Sequence, residues 1–420
     1  MKQIFLSIMM LVLFASPMLA QQFDLSAEIR PRFESNHGYK KLIGTDATGT
    51  NAISQRSRLN FFYKQDKIKL GITLQNVRTW GDISTLASAD INGTALHQAW
   101  ASVSLLDNLC LKLGRQEIVY DDHRIFGSVG WAQQARSHDA LIFKYKPADG
   151  HKLDVGYALN PTGSPAGYKN FFYGWYHGDF DKIGLSVLAL NTGHEFENTD
   201  EVTEVGFKQT VGPRVTFKMG DLDANAATYF QVGDYNDVKT NALYYTFNLG
   251  YKVMDGLKLG VGYEALSGND MDDANGEQNS FAPLFGTNHK FNGWMDYFYV
   301  GSHMGSVGLN DINATVAYKN GKFSAKLIPH FFSAAGNVHN GAEVMDANLG
   351  TEVDFTMGYK IAPAVSINFG HSMMFATETM EFIETLRYDG VSGDKDEMNS
   401  WTWLQFTFKP KLFSSAPKAE

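Results

Sequence analysis

Apolar and polar residues alternate along several stretches of the chain. In 243–253, 353–361 and 68–74 every second residue is apolar, and most residues between them are polar or glycine. A period of two predicts β-strands with one apolar and one polar face. A soluble β-sandwich has the same alternation. These strands, however, run about ten residues and carry aromatic residues toward the ends of their apolar faces, which favours a transmembrane antiparallel β-barrel.

Short and long connections alternate between the predicted strands. Short turns are predicted at Gln65-Asp66, Asp107-Asn108, Ala148 to Gly150, Asp179 to Asp181, Gly220-Asp221, Asp255-Gly256, Asn320-Gly321 and Ala362-Pro363. Longer polar connections are predicted at roughly 36–53, 79–95, 119–137, 160–169, 192–201, 234–239, 268–307, 332–349 and 376–399. Short periplasmic turns and long extracellular loops are the outer-membrane pattern. Together they join about 18 strands, least regularly in 201–222, where Gly212-Pro213 interrupts the alternation.

The N-terminal residues predict export from the cytoplasm. Met1-Lys2, the apolar run 4–15 and Ala20 form a signal peptide over residues 1–20, which leaves 21–420 as a single barrel. A membrane anchor is the alternative, but about a dozen apolar residues are too few to span a bilayer. We therefore expect a protein of a Gram-negative type of outer membrane. The first strand would begin directly after the cleavage site, which argues against the plug domain of a TonB-dependent transporter.

The strand number and the placement of charge together predict a passive channel. A barrel of about 16–18 strands encloses a water-filled lumen. The net charge is −9, but the acidic residues concentrate in the long loops, while the polar strand faces are mainly basic. Charges facing lipid are costly, so these faces should line the lumen and favour anions. The alternative is that the lumen charges pair with one another as a structural girdle.

Individual residues of the polar faces are assigned to the solute path on this basis. Arg30, Arg56, Arg58 and Lys144 are its expected cations. Trp100 shares the polar parity of its strand and is expected to face the lumen, whereas most other tryptophans fit an interfacial belt or loop packing.

The stretch 111–145 is the densest in charge. Its connection 119–137 is expected to fold into the lumen, where Arg124 and Arg136 would form a charged constriction and Asp139 would position Arg136. Two further residues, Arg115 and Glu117, continue the apolar parity of their strand. We expect a β-bulge at Gly114 to turn both toward the lumen.

The same stretch resembles the signature of the alginate export family of outer-membrane porins. The similarity lies in Gly114 to Glu117, Arg124, Gly127 with Trp131, and Arg136 to Asp139, and in "RLN" at 58–60, "QAW" at 98–100, "YEALSG" at 263–268 and "APLFGTNHKFNGWMDYF" at 282–298. His138 stands where an aromatic residue is usual, and Asp121-Asp122-His123 replaces a Gly-Asp-Gln-like run. The resemblance implies an 18-stranded barrel with an electropositive lumen for an anionic polysaccharide such as alginate.

Other functions have weaker support in the sequence. A general porin, or one specific for a solute other than a polysaccharide, is the alternative channel. An outer-membrane enzyme such as a phospholipase lacks a framed Ser and His motif, and no cofactor, metal or nucleic acid is expected. The acidic stretch at 268–280 fails the EF-hand spacing for calcium. Expected partners are outer-membrane lipid, lipopolysaccharide and the anionic solute, and periplasmic partner proteins are left open.

Overall fold

The computed structural model describes residues 21–415 except 199, 237, 273–275, 299–306, 389 and 391–392. The predicted signal peptide at 1–20, and part of the acidic stretch at 268–280, lie outside these residues. No helix among them is long and apolar enough to cross a bilayer.

Eighteen antiparallel strands form a closed barrel, which confirms the predicted fold class. They are β1 Gln21–His37, β2 Thr50–Gln65, β3 Ile68–Thr79, β4 Ala95–Leu106, β5 Leu109–Gln116, β6 His138–Tyr145, β7 His151–Leu159, β8 Asn170–Phe180, β9 Ile183–Glu197, β10 Thr203–Met219, β11 Leu222–Tyr235, β12 Val238–Met254, β13 Leu257–Leu266, β14 Leu309–Asn320, β15 Phe323–Ser333, β18 Asn348–Ala362, β19 Val365–Ala376 and β20 Asn399–Phe408. The remaining elements are the hairpin β16 His339–Asn340 and β17 Glu343–Val344, a 3-10 turn Asn288–Lys290, helix α1 Glu378–Arg387, and β21 Lys411–Ser414. Both β20 and β21 pair with β1 and close the barrel.

All eight predicted short turns lie on one rim of the barrel. The opposite rim carries the longer connections, but several of them are shorter than the sequence predicted: β2 begins at Thr50, β9 ends at Glu197, and only 236–237 separate β11 from β12. The irregular stretch is a single strand, β10. Pro213 lies inside it and has no N–H to donate, and the pairing with β11 skips Gly212 and Pro213.

The strand faces alternate between lipid and lumen. In β6, Ala140 and Ile142 are buried inside the barrel, whereas Leu141 and Phe143 are exposed on the outer surface. Their neighbour Asp139 shares the outward parity.

The predicted bulge at Gly114 is absent. The pairing of β5 with β4 runs without a shift from Leu113 opposite Ala101 to Arg115 opposite Ala99. Arg115 therefore stays on the outer face, where its Nη1 lies 2.7 Å from Oδ2 of Asp139. The placement of Arg115 and Asp139 in the lumen is corrected accordingly.

A different constraint requires glycine at position 114. Gly114 has a φ of 108°, and a Cβ at this position would lie 2.4 Å from the carbonyl oxygen of Ala99. A side chain would therefore strain the backbone and displace the neighbouring strand.

We expect Gly114→Ala to lower the free energy of unfolding by about 1–3 kcal/mol, the usual cost of such strain. Gly174→Ala in β8 is the matched control, because a Cβ there meets no heavy atom within 4 Å. The measurement is the urea midpoint of the detergent-folded protein. Equal midpoints for the two variants would contradict this account of Gly114.

Candidate channel constriction

The connection 117–137, between β5 and β6, folds into the lumen and reaches the wall formed by β1 and β2. Arg30 of β1 is buried and donates hydrogen bonds to the carbonyl oxygens of Gly130 at 2.8 Å and Trp131 at 3.0 Å. Its Nη2 also lies 2.9 Å from Oε1 of Gln133. One guanidinium thus satisfies several backbone and side-chain acceptors that the β-ladder cannot reach.

Two more arginines of this wall hold the same loop. Arg32 donates to the carbonyl oxygen of Trp131 at 2.9 Å, and its guanidinium carbon lies 4.0 Å from the centroid of the Trp131 ring. Arg56 faces the lumen, but its Nη2 lies 2.5 Å from Oε1 of Glu28. The charge of Arg56 is therefore matched inside the wall.

The described residues 281–298 of a second connection, 267–308, also fold inward and meet the first connection. The amide of Gly127 donates to the carbonyl oxygen of Phe285 at 2.9 Å, and the amide of Val129 donates to Oγ1 of Thr287 at 3.0 Å. Only the first of these loops was expected inside the barrel. Together they form a two-loop barrier across the lumen.

Two buried carboxylates attach the second loop to the opposite wall. Asp354 of β18 accepts a hydrogen bond from the amide of Trp294 at 3.1 Å, and Glu352 accepts one from the amide of Met295 at 2.7 Å. The hydroxyl of Ser372 donates to the other oxygen of Asp354 at 2.5 Å. Because a buried polar group without a partner is costly, the wall and the loop stabilise each other.

Aromatic rings meet where the two loops touch. The rings of Trp131 and His289 stack with centroids 4.8 Å apart and planes 13° apart, and Trp403 of β20 packs against Trp131 at 4.7 Å. Nδ1 of His289 lies 2.8 Å from Oδ1 of Asp296, and the other carboxylate oxygen of Asp296 accepts a hydrogen bond from the hydroxyl of Tyr39. The stacked pair is thereby held by β20 and by the connection that follows β1.

Two cavities adjoin this pair of rings. An outer cavity of about 420 Å³ lies toward the long loops, beside Arg32 and Glu34. An inner cavity of about 650 Å³ lies toward the short turns, beside Lys326. Among the described residues, only Trp131 and His289 line both cavities. We call this stacked pair the eyelet.

Several residues assigned to the solute path do face the lumen. The Nζ of Lys112 lies 4.1 Å from the ring centroid of Trp100, which packs over Gly71 of the next strand. Arg58 donates to Oε1 of Gln75 at 2.7 Å. Glu117 lies beyond the end of β5, with its Oε1 2.8 Å from Nε2 of His97. Each of these residues has a partner within the wall or the first loop.

The charges of the lumen are paired to a large extent. Nζ of Lys144 lies 2.6 Å from Oδ2 of Asp154. Arg136 donates to the carbonyl oxygen of Gly286 at 3.1 Å and so contributes to the contact between the loops. Together with the pair of Arg56 and Glu28, these contacts favour the alternative in which the lumen charges pair with one another as a structural girdle. They do not form a row of unpaired cations.

Arg124 differs most from the sequence-based expectation. It is 2% exposed, forms an ion pair with Glu264 of β13, and donates to Oδ1 of Asn292 at 2.9 Å. Its charge is compensated and shielded from both cavities, so its expected role as a cation in the path of the solute is corrected. The residue instead ties the first loop to the second and to the wall.

The sequence alone did not assign His289, Trp294, Glu352 or Asp354 to the solute path. A signal for the first two was present, because 282–298 is rich in aromatic residues although it lies in a loop. The carboxylates had no such signal, since an acidic residue on a polar strand face is equally compatible with a solvated lumen. Within the described ranges, no group of three His, Cys, Asp or Glu side chains is arranged to hold a metal ion.

A family model described as alginate export matches residues 21–382. The chain belongs to the alginate export family. The match extends from the first residue of β1 into α1, and it confirms the family resemblance noted in the sequence. No curated protein matches the chain.

Solved porin structures share the fold of this alginate export family member. Pseudomonas aeruginosa OccK9 (OpdG) aligns with a TM-score of 0.61 at 13% identity, covering 93% of this chain and 98% of that one. A BenF-like porin from Pseudomonas fluorescens Pf-5 aligns with a TM-score of 0.61 at 12% identity, covering 93% and 99%. The identity is low enough that these similarities establish the fold alone. Family and fold together identify an outer-membrane channel of the porin type.

The pair of Arg124 and Glu264 allows a test of how the loops are held. We expect Arg124→Met to lower the free energy of unfolding by about 3–5 kcal/mol, because it leaves a buried carboxylate unpaired. The double variant Arg124→Met with Glu264→Gln should recover much of that loss. Urea midpoints of the detergent-folded proteins measure both effects. A double variant no more stable than the single variant would argue against a buried pair.

Proposed function

We propose that this channel passes anionic solutes through the eyelet, with an acidic polysaccharide such as alginate as the first candidate. The proposal includes export by a signal peptide at 1–20 and a single barrel over 21–420. The observation that carries it is the composition of the inner cavity. Its lining includes Lys258, Lys290 and Lys326, and among the described lining residues there is no carboxylate.

The lysines of the inner cavity are compensated less fully than the arginines above it. Lys290 donates to the carbonyl oxygen of Asp122 at 2.8 Å, which supplies no full negative charge. Burial lowers the pKa of Lys290 below its usual value. Lys326 lies 5.7 Å from the ring centroid of Trp294 and interacts electrostatically with the carboxylate of Asp354, without a direct ion pair to a carboxylate in the described chain.

Lys258 is the exception among the three, since its Nζ lies 2.5 Å from Oδ1 of Asp223. Asp223 lies outside the cavity lining. A low-dielectric cavity with an excess of ammonium groups focuses a positive potential and attracts anions. The preference for anions is therefore expected to arise on the inner side of the eyelet.

A porin for small anions is the second candidate, because the two inward loops occupy much of the lumen. A polymer would have to pass the stacked rings of Trp131 and His289 one residue at a time, whereas a monomeric anion needs only a brief opening. Comparing block by oligouronates with block by glucuronate separates the two candidates. Block that strengthens as the oligouronate lengthens supports the polysaccharide. Equal block by oligouronate and glucuronate, compared at the same concentration of carboxylate charge, supports the small-anion porin.

Anion selectivity is the first functional prediction. In planar bilayers we expect the reversal potential to show a preference for anions that weakens as salt rises and screens the lysines. Replacing Lys258, Lys290 and Lys326 together by Gln should abolish most of the preference. Lys252→Gln is the matched control, because Lys252 lies near the same rim, pairs with Asp255 and does not line the cavity. Cation preference in the unmodified protein would contradict the proposal.

The eyelet gives a second functional prediction. Trp131→Ala removes one of the two rings and should raise single-channel conductance, because the cavities would then communicate through a wider gap. Trp80→Ala is the control, since Trp80 is exposed beyond β3 and lines neither cavity. Unchanged conductance in Trp131→Ala would show that the current does not pass this pair of rings.

A further inference from the structure

The barrel wall has a low section on the extracellular side. β5 and β6 have 8 residues each and β7 has 9, whereas β4 has 12 and β9 has 15. The first residues of β4 extend past the end of β5, because Ala99 pairs with Arg115 near that end. Three residues of β4, Ala95 to His97, extend beyond the end of β5, which corresponds to roughly 10 Å of strand at about 3.3 Å per residue.

A separate cavity of about 610 Å³ lies over this low section. The eyelet residues and the lysines of the inner cavity do not line it. Its lining combines two guanidinium groups, one carboxylate, several hydroxyl, amide and imidazole groups, and a few apolar side chains, among them Arg115, Arg136, Asp139, Asn160, Pro161 and Leu284. We call this cavity the rim notch.

Two charged residues of the rim notch lie on the outer face of the barrel. Arg115 and Asp139 share the outward face of β5 and β6 with Leu113 and Leu141, which are exposed on the apolar band. The two charged residues follow those leucines toward the extracellular rim. A charged pair at this position lies where the apolar band ends and the headgroups of the outer leaflet begin.

The chemistry of the lining fits a phosphorylated sugar. Arginine presents a planar fork of donors that matches phosphate oxygens. Asn160, Ser137 and Ser164 provide amide and hydroxyl groups suited to sugar hydroxyls, while Pro161 and Leu284 can cover the apolar face of a ring. The guanidinium groups outnumber the carboxylates in this lining by two to one, which favours an anionic ligand.

We propose that the rim notch binds the phosphorylated sugar headgroup of an outer-leaflet glycolipid. Arg115 contacts the phosphate from the lipid side and Arg136 supports it from within the rim. Asp139 holds Arg115 in place, and binding shifts part of that contact to the phosphate. This site is independent of the solute that passes the eyelet.

The test uses protein refolded in detergent free of lipopolysaccharide, with lipid A as the probe. We expect lipid A to raise the temperature at which the folded band disappears on gels, whereas lipid A without its phosphates should raise it much less. Titration of this shift gives an apparent affinity. Arg115→Gln with Arg136→Gln should weaken that affinity about tenfold or more, since each removes a charge-assisted contact.

Two further variants separate binding from a structural role. Asp139→Asn should strengthen lipid A binding, because it removes the only carboxylate of the described lining. If the pair of Arg115 and Asp139 is purely structural, the same variant should be less stable without lipid and should show no gain in affinity for lipid A. Arg78→Gln is the matched control, since Arg78 lies at the same rim, pairs with Asp90 and does not line the rim notch.

Either of two results overturns the site: equal stabilisation by phosphorylated and dephosphorylated lipid A, or an unchanged affinity in the double arginine variant. Glucose 1-phosphate distinguishes the source of the sugar phosphate. If it stabilises the protein as strongly as lipid A, the assignment to a membrane glycolipid is wrong. A weak effect of glucose 1-phosphate at the same concentration supports the lipid.

Discussion

The inward loops depend on one physical requirement, which is that every buried backbone group needs a hydrogen-bonding partner. A barrel wall satisfies its own backbone through the ladder of strand pairs, but a loop that crosses the lumen has no ladder. Here the wall supplies side chains instead. Arg30 binds the carbonyl groups of the first loop, and Asp354 with Glu352 binds the amides of the second. The wall thus supplies guanidinium donors to the carbonyl groups of one loop and carboxylate acceptors to the amides of the other.

This use of charge explains why a basic strand face does not by itself make an anion channel. Arg30 and Arg32 engage loop carbonyls, Arg56 engages Glu28, and Arg124 engages Glu264. Their guanidinium groups are structural attachments in the upper half of the lumen. The inner cavity carries lysines instead, and no carboxylate is among its described lining residues.

The sequence predicted the architecture well, because strand faces and turns are local properties. The alternation of apolar residues and the eight short turns located the 18 strands, and even β10 follows from the same period once Pro213 is placed within it. The inward course of 117–137 was also anticipated. The direction of Arg115 was not, because Gly114 suggested a bulge, whereas it serves a close approach to Ala99. The partners of Arg124 lie more than a hundred residues away in the chain, and no local pattern predicts such contacts.

The contact between the two inward loops is the central claim, and a disulfide across it tests this claim most directly. Val129→Cys and Thr287→Cys, in a Cys110→Ser background, place thiols where the amide of Val129 meets Oγ1 of Thr287 at 3.0 Å. The structure predicts that mild oxidation joins the pair in the folded barrel, seen as a mobility change on non-reducing gels, while the anion preference proposed for the channel persists. If both thiols instead stay reduced and react with a bulky reagent from the extracellular side, the loops do not meet in the lumen.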